Sequence, residues 1–244
     1  MKRAVVSTRK RSGTLGVITA RGGSKGIFGK NMYVVGGKPL IAYCMEAASA
    51  SHAFDRLIIS TDDPAIAAFA QSKGIEAPFL RPSELAADNV GHLPVMRHAT
   101  AWMERHARYS PEIVAIIVPT APLVRPSDFE RAKKILMKNG ADSVVGVREM
   151  PFKYHPLKAF LERNGRLTYS TGRAMRRQDL PRAYYSTAAI YLFRAALLFG
   201  KTPSLYGARV LPYIMKEDLD INTMEDMREF EKRIGGAHGR PRRS

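Results

Sequence analysis

Cysteine and tryptophan each occur once in the 244 residues. A single thiol closes no internal disulfide and suits a reducing compartment. Cys44 falls at helical spacing beside Leu40 and Ala47 or Ala48, which reads as a small core residue rather than a reactive thiol. No apolar run approaches the roughly 20 residues of a membrane span, so no membrane partner is expected. The leading stretch M-K-R-A-V-V-S-T-R-K-R-S-G is basic and has no apolar core, which argues against a secretory signal and for a cytoplasmic protein. The two common phosphate-loop patterns are also absent. There is no G-x-x-x-x-G-K-[ST], and no G-x-G-x-x-G with an acid about 20 residues on. Acids are scarce as well: 22 Asp and Glu stand against 39 Lys and Arg, for a net charge of +17.

That charge invites a nucleic-acid reading, and its distribution argues against one. Lys2, Arg3, Arg9, Lys10 and Arg11 lead the chain, and Arg240, Arg242 and Arg243 trail it, so about nine excess charges remain for the rest. No helix-turn-helix, zinc-finger or RNP-type pattern is present. A moderate positive excess also suits an enzyme with anionic substrates. The length and ordinary composition fit one large α/β domain, taken as residues 14–235, with basic tails at 1–13 and 236–244.

What is present is concentrated at T-L-G-V-I-T-A-R-G-G-S-K-G-I-F-G-K-N, residues 14–31. Leu15 to Ala20 reads as a buried strand. A loop follows with Gly22, Gly23, Gly26 and Gly29, threaded by Arg21, Lys25 and Lys30 and by no acid. Glycines let backbone N–H groups turn inward as an anion nest, lysine adds a point charge and arginine a fork. A helical pattern resumes at about Pro39. Glycines alone fit an ordinary surface loop equally well; the preceding strand and the three cations favour a polyphosphate cradle.

Further along, Leu57 to Ser60 reads as a strand. Asp62 and Asp63 read as helix-start acids rather than metal ligands, ahead of a helix over 63–73. A short strand is expected at 75–80, then a loop at 81–89 and a helix over 91–108. His92, His98 and His106 on that helix lack a second ligand pair and read as surface residues. The β-branched run Glu112 to Val118 reads as a central strand buried on both faces, ending in P-T-A-P-L. A helix over Ser127 to Asn139 and a strand over Asp142 to Val147 complete a β-α alternation, which implies a mostly parallel sheet with helices on both faces. The rhythm breaks over about 148–187, a polar stretch rich in Tyr and Arg. It is too long for an ordinary loop and reads as an arm packing on a partner subunit or covering the site. A strand over Thr187 to Phe193, a short helix at 194–200, a strand near Ala208 to Pro212 and a helix over Met224 to Ile234 close the chain.

A-R-G-G-S-K-G-I-x-G-K-N followed by G-G-K-P-L-I-A-Y resembles the signature of the acylneuraminate cytidylyltransferases, the CMP-sialic acid synthetases and their bacterial relatives. Further landmarks fall in family order: S-T-D-D at 60–63, R-P-x-E-L-A at 81–86, P-T-x-P-L at 119–123, R-R-Q-D-L-P at 176–181 and D-I-N-T-x-E-D at 220–226. The similarity runs from about residue 15 to 233. It implies a Rossmann-like nucleotide-diphosphosugar-transferase fold with an inserted dimerisation arm, and a homodimer. It implies that CTP and an acidic nine-carbon 2-keto sugar give the CMP-sugar and pyrophosphate, with Mg²⁺ as cofactor. By the same resemblance, Arg21, Lys30 and Asp220 are the catalytic set. The nucleotide site holds Arg21, Gly22, Gly23, Ser24, Lys25, Lys30 and Asn31 around the phosphates, and Arg81, Ala86 and Asp88 near the cytidine. Thr120, Arg176, Arg177, Gln178 and Thr187 meet the sugar, the arm residues reaching into the neighbouring subunit. Asp220 and Asn222 hold the metal.

Three positions depart from the family pattern. Val118 replaces a glutamine, Thr187 replaces the asparagine of N-G-A-I-Y, and Asn222 replaces the second acid of D-I-D. The resemblance places all three at the substrate or the metal, which points to an altered sugar specificity, such as a legionaminic- or pseudaminic-type acid. An enzyme for another acidic sugar such as Kdo, and a catalytically silent binding relative, are the competing readings.

Overall fold

The computed structural model describes residues 12–23, 26–170 and 176–238, the last three by backbone alone. Ser24, Lys25 and most of both basic tails lie outside the described residues. In chain order the elements are β1 (Thr14–Thr19), β2 (Val34–Val35), β3 (Lys38–Pro39), α1 (Leu40–Ser49), β4 (Arg56–Ser60), α2 (Pro64–Ser72), α3 (His92–His106), β5 (Ile113–Ile117), α4 (Pro126–Lys138), β6 (Ser143–Glu149), β7 (Phe160–Arg163), β8 (Arg166–Tyr169), β9 (Tyr184–Arg194), β10 (Val210–Ile214) and α5 (Met224–His238).

Six strands form one sheet in the order β10-β6-β9-β5-β1-β4. β1 runs parallel to β4 and β5, and β6 parallel to β10; β9 alone is antiparallel, wedged between β5 and β6. The β-branched run at β5 is buried at every residue, which requires cover on both faces of the sheet. α4 packs on β6, β9 and β10 with α1 beside it, and α3 packs on β1 and β5. Phe129, Phe193, Leu15, Ile18 and Ile58 are among the fully buried side chains at these contacts. Each such side chain stabilises the fold by about 1.5–3 kcal/mol relative to exposure.

A second, smaller cluster positions the loop after β1. Ile27, Val35 and Leu40 pack against Ile221, Met227 and Phe230, and Tyr43 meets Phe230 edge-on at 4.8 Å. Thr223 and Asp226 cap α5 reciprocally. Asp226 accepts from the N–H groups of Asn222 (2.9 Å) and Thr223 (2.8 Å), and its own N–H donates to Thr223 Oγ1 (3.2 Å).

The structure corrects several sequence expectations. Residues 75–80 contribute only an isolated bridge, Ile58 to Glu76, because Pro78 interrupts a ladder that the apolar pattern invites. The expected helix at 194–200 is a single 3-10 turn, Ala195–Leu198. β9 begins at Tyr184, three residues early, and bulges against β6 between Val145 and Val147. Beside that bulge Ala188 holds φ of 57°, a left-handed conformation that costs a non-glycine residue. The arm contains a hairpin, β7–β8, turned at Asn164 (φ 52°) and Gly165 (φ 73°), the dipeptide that a tight primed turn favours.

Candidate active site

The C-terminal ends of the parallel strands gather one cleft, where open α/β sheets place ligands. β1 delivers Thr19 and Arg21 to this edge, and Ala20 N–H donates to Ser60 O (3.1 Å), extending the β1–β4 pairing. Gly22 N–H donates to Asp62 Oδ1 (3.0 Å), and a Cβ on Gly22 would stand 3.0 Å from that of Asp63. Asp63 caps α2, accepting from Ala65 N–H (2.8 Å) and Ile66 N–H (3.4 Å). Both acids are therefore engaged in local structure, as their position at a helix start suggests.

The loop returns to the cleft through Gly26, where a Cβ would sit 2.6 Å from the Asn222 carbonyl oxygen. Only glycine permits that approach. Ile27 anchors the loop in the second apolar cluster, and Gly29 (φ 61°) turns it into Lys30. Lys30 Nζ donates to Ile221 O (2.7 Å), and Asn31, buried, donates its amide to Arg21 O (2.8 Å). Ile221 N–H donates to Thr120 O (2.8 Å). The glycine loop, the turn after β5 and the Asp220–Asn222 segment are thus tied together by the Lys30 side chain and by one main-chain bond, both at Ile221.

The cleft has two lobes. One, of about 220 Å³, is walled by Arg81, Ala86, Asp88 and the apolar Leu85, Val90 and Val95. The other, of about 330 Å³, is walled by Gly26, Lys30, Asn31, Val118, Thr120 and Asn222. Thr19, Arg21 and His92 belong to both. Arg81 is only 7 % exposed; its Nε donates to Ser60 Oγ (3.1 Å) and its Nη2 to Ser60 O (2.5 Å). Arg21 pairs with Asp88 across the mouth of the first lobe.

Charge is concentrated in this cleft. Burial pushes Lys30 below the ordinary lysine value, with the Arg21 cation adding to the shift and the Asp220 and Asp226 carboxylates opposing it. Burial lowers Arg81 too, again with Arg21 adding and Asp62 opposing. His92 is held low by the surrounding cleft wall and then by Arg81, although its outer surface meets solvent. Cations that are each disfavoured by burial and by one another are satisfied by an anion entering between them.

Asp220 and Asn222 are exposed at the rim of the second lobe, and Asn222 Nδ2 donates to Asp220 Oδ2 (2.9 Å). Among the described residues no cluster of three or more His, Cys, Asp or Glu could hold a metal. One carboxylate and one neutral amide oxygen fit a hard ion of the Mg²⁺ kind, which keeps waters and takes substrate phosphate oxygens.

The remaining sequence-derived residues lie elsewhere. Gly23 is exposed, beside the loop positions Ser24 and Lys25 that lie outside the description. Arg176, which pairs with Asp179 (2.8 Å), Arg177 and Gln178 are exposed on the arm and line neither lobe. Arg177 stands over the Phe152 ring (5.4 Å) and helps line a separate hollow of about 410 Å³ with Glu149, His155 and Arg182. Thr187 is buried, and its hydroxyl donates to Gly146 O (3.1 Å). Sequence reasoning missed Thr19 and His92. The strand-edge position is a usable signal for Thr19, and the helix-start position for His92, which is exposed as a surface reading expects and also lines both lobes.

Comparison with known proteins bears on this geometry. The family model described as "Cytidylyltransferase" matches residues 15–230. The chain is 32% identical over 218 residues to a CMP-N,N'-diacetyllegionaminic acid synthase of Campylobacter jejuni, covering 88% of this chain and 92% of that one. It is 30% identical over 221 residues to a pseudaminic acid cytidylyltransferase of Campylobacter jejuni, covering 88% and 93%. It is also 30% identical over 218 residues to the post-translational flagellin modification protein B of Campylobacter coli, covering 88% and 92%. Among solved structures, a CMP:2-keto-3-deoxy-manno-octonic acid synthetase complexed with CTP shares the fold, with a TM-score of 0.70 at 18% identity, over 93% of this chain and all of that one.

Proposed function

We propose a reaction for this chain from one premise: it belongs to the cytidylyltransferase family. The reaction joins CTP to an acidic nine-carbon 2-keto sugar. The sugar's C2 hydroxyl oxygen bonds to the α-phosphorus of CTP, the bond from that phosphorus to the oxygen bridging to the β-phosphate breaks, and pyrophosphate leaves. The hydroxyl proton goes to solvent. The observation that carries this reading is the two-lobed cleft: a lobe with one buried arginine and apolar walls joins a lobe with a half-buried lysine, through a shared arginine.

In this reading the base occupies the Arg81–Ala86–Asp88 lobe. Arg21, Lys30 and the glycine loop hold the triphosphate, Arg21 exchanging Asp88 for phosphate oxygens. Phosphoryl transfer asks a protein mainly for positioning and charge neutralisation, which these residues supply. Asp220 and Asn222 would hold Mg²⁺, which when bound neutralises phosphate charge. Thr120 and the arm residues Arg176, Arg177 and Gln178 serve the sugar, its carboxylate matched by an arginine fork. Because the arm residues line neither lobe of their own chain, they fit a homodimer in which they reach the neighbour's cleft. The relatives named for pseudaminic and legionaminic acids favour a substrate of that type over N-acetylneuraminic acid.

Pyrophosphate release tests the reading, with N-acetylneuraminic, legionaminic, pseudaminic and Kdo acids, and with ATP, GTP and UTP as nucleotide controls. Turnover with CTP and one nine-carbon acid is expected. CTP binding without turnover on any acid would leave only a binding relative.

A further inference from the structure

We propose that the Thr19 hydroxyl is a specificity-determining contact to a ribose hydroxyl of the nucleotide, an inference that rests on the CTP reading of the cleft. Two independent observations point to it. First, Thr19 belongs to both lobes, at the junction between the site of the base and the site of the phosphates. In a nucleotide laid along the cleft, the ribose lies at that junction. Second, among the described residues no group bonds the Thr19 hydroxyl, although the oxygen is buried.

The contrast with its neighbour is informative. Thr19 stands opposite Ser60 in the parallel β1–β4 register, so the two side chains share a face of the sheet. Ser60 is fully engaged: its hydroxyl and carbonyl both accept from Arg81, and its carbonyl also accepts from Ala20 N–H. Thr19 receives nothing from the same arginine. Thr14, Thr100 and Tyr109 also bury unpartnered hydroxyls among the described residues, and none of them lines the cleft. An unpaired buried hydroxyl destabilises a fold, and valine fills the same volume without that cost. Rotation about χ1 carries the threonine oxygen to another staggered position, from which it would meet a ligand hydroxyl at the junction.

The test measures equilibrium binding of CTP, 2′-deoxy-CTP and 3′-deoxy-CTP to the wild-type chain, Thr19→Val and Thr19→Ser. Thr19→Val should bind CTP about five- to tenfold more weakly, the size of one hydrogen bond. The penalty should vanish for whichever deoxynucleotide lacks the contacted hydroxyl, and Thr19→Ser should retain the wild-type pattern. Without nucleotide, Thr19→Val should unfold at the wild-type temperature or above. A penalty equal for all three nucleotides, no penalty at all, or a lower unfolding temperature would overturn the assignment. Failure of the wild-type chain to bind CTP would instead overturn the reading beneath it.

Discussion

Asn222 is the residue whose identity weighs most on the chemistry. Its amide donates to Asp220, where the family pattern has a second carboxylate. A neutral oxygen attracts a divalent cation less than an anion does, so Asn222→Asp should tighten Mg²⁺ binding severalfold, read by calorimetric titration of the metal with CTP present. An unchanged metal affinity would remove this position from the metal site. Lys30 makes a pH prediction. Burial lowers its unliganded pKa from 10.5, and a triphosphate beside it raises it again. A base whose pKa rises on binding contributes affinity that is complete below the unliganded value and lost as the pH climbs through the liganded one. CTP affinity should therefore fall on the alkaline side, and the fall should move to higher pH in Lys30→Arg, whose guanidinium stays charged. Superimposable profiles would show that another group sets the fall.

At the scale of elements, α5 and its cap hold Asp220 to the glycine loop. The Asp226 carboxyl is held below its ordinary value of 3.8, first by the Asn222 N–H, with those of Thr223 helping. A depressed carboxyl contributes stability that is present above 3.8 and lost as the pH falls below it. Asp226→Ala should cost about 1 kcal/mol near neutral pH, the usual worth of such a cap, and the cost should fade in acid, as read by denaturant unfolding. How much could be read in advance divides along physical lines. β1, β5 and α4 were legible because their apolar periods are unambiguous. The direction of β9 was not, since a buried apolar run reads alike in parallel and antiparallel sheets. The β7–β8 hairpin was missed despite Asn164-Gly165, because the strands around that turn lack an apolar alternation facing a core. The cleft residues Arg21, Lys30, Asn31, Arg81, Ala86 and Asp88 were legible through motif resemblance, whereas Thr19 lies outside those motifs: its strand-edge position was the one hint, and its place in both lobes singles it out.

At the scale of the whole molecule, the arm is an unfinished structure within one chain. β7 and β8 form a two-stranded sheet exposed on all eight residues, with Leu167 66 % exposed beside Phe160, Leu161 and Tyr169. An isolated hairpin of that kind is marginal in water, and in the proposed homodimer a second copy of the chain would cover it. Leu161→Asp with Leu167→Asp should shift a dimer to monomer in sedimentation equilibrium. If the arm residues serve the neighbouring cleft, turnover should fall with dimerisation while CTP binding, built within one chain, persists. A monomeric wild-type protein would contradict the homodimer.

The central claim is that one cleft holds CTP with its base against Arg81 and its phosphates against Lys30. The most direct measurement is equilibrium binding of CTP and CMP to the wild-type chain and to Lys30→Ala. Lys30→Ala should weaken CTP by about 10- to 100-fold, the worth of one charge-assisted hydrogen bond, and weaken CMP much less, because CMP lacks the phosphates assigned to that lobe. Equal losses for both nucleotides, or no loss for CTP, would contradict the account.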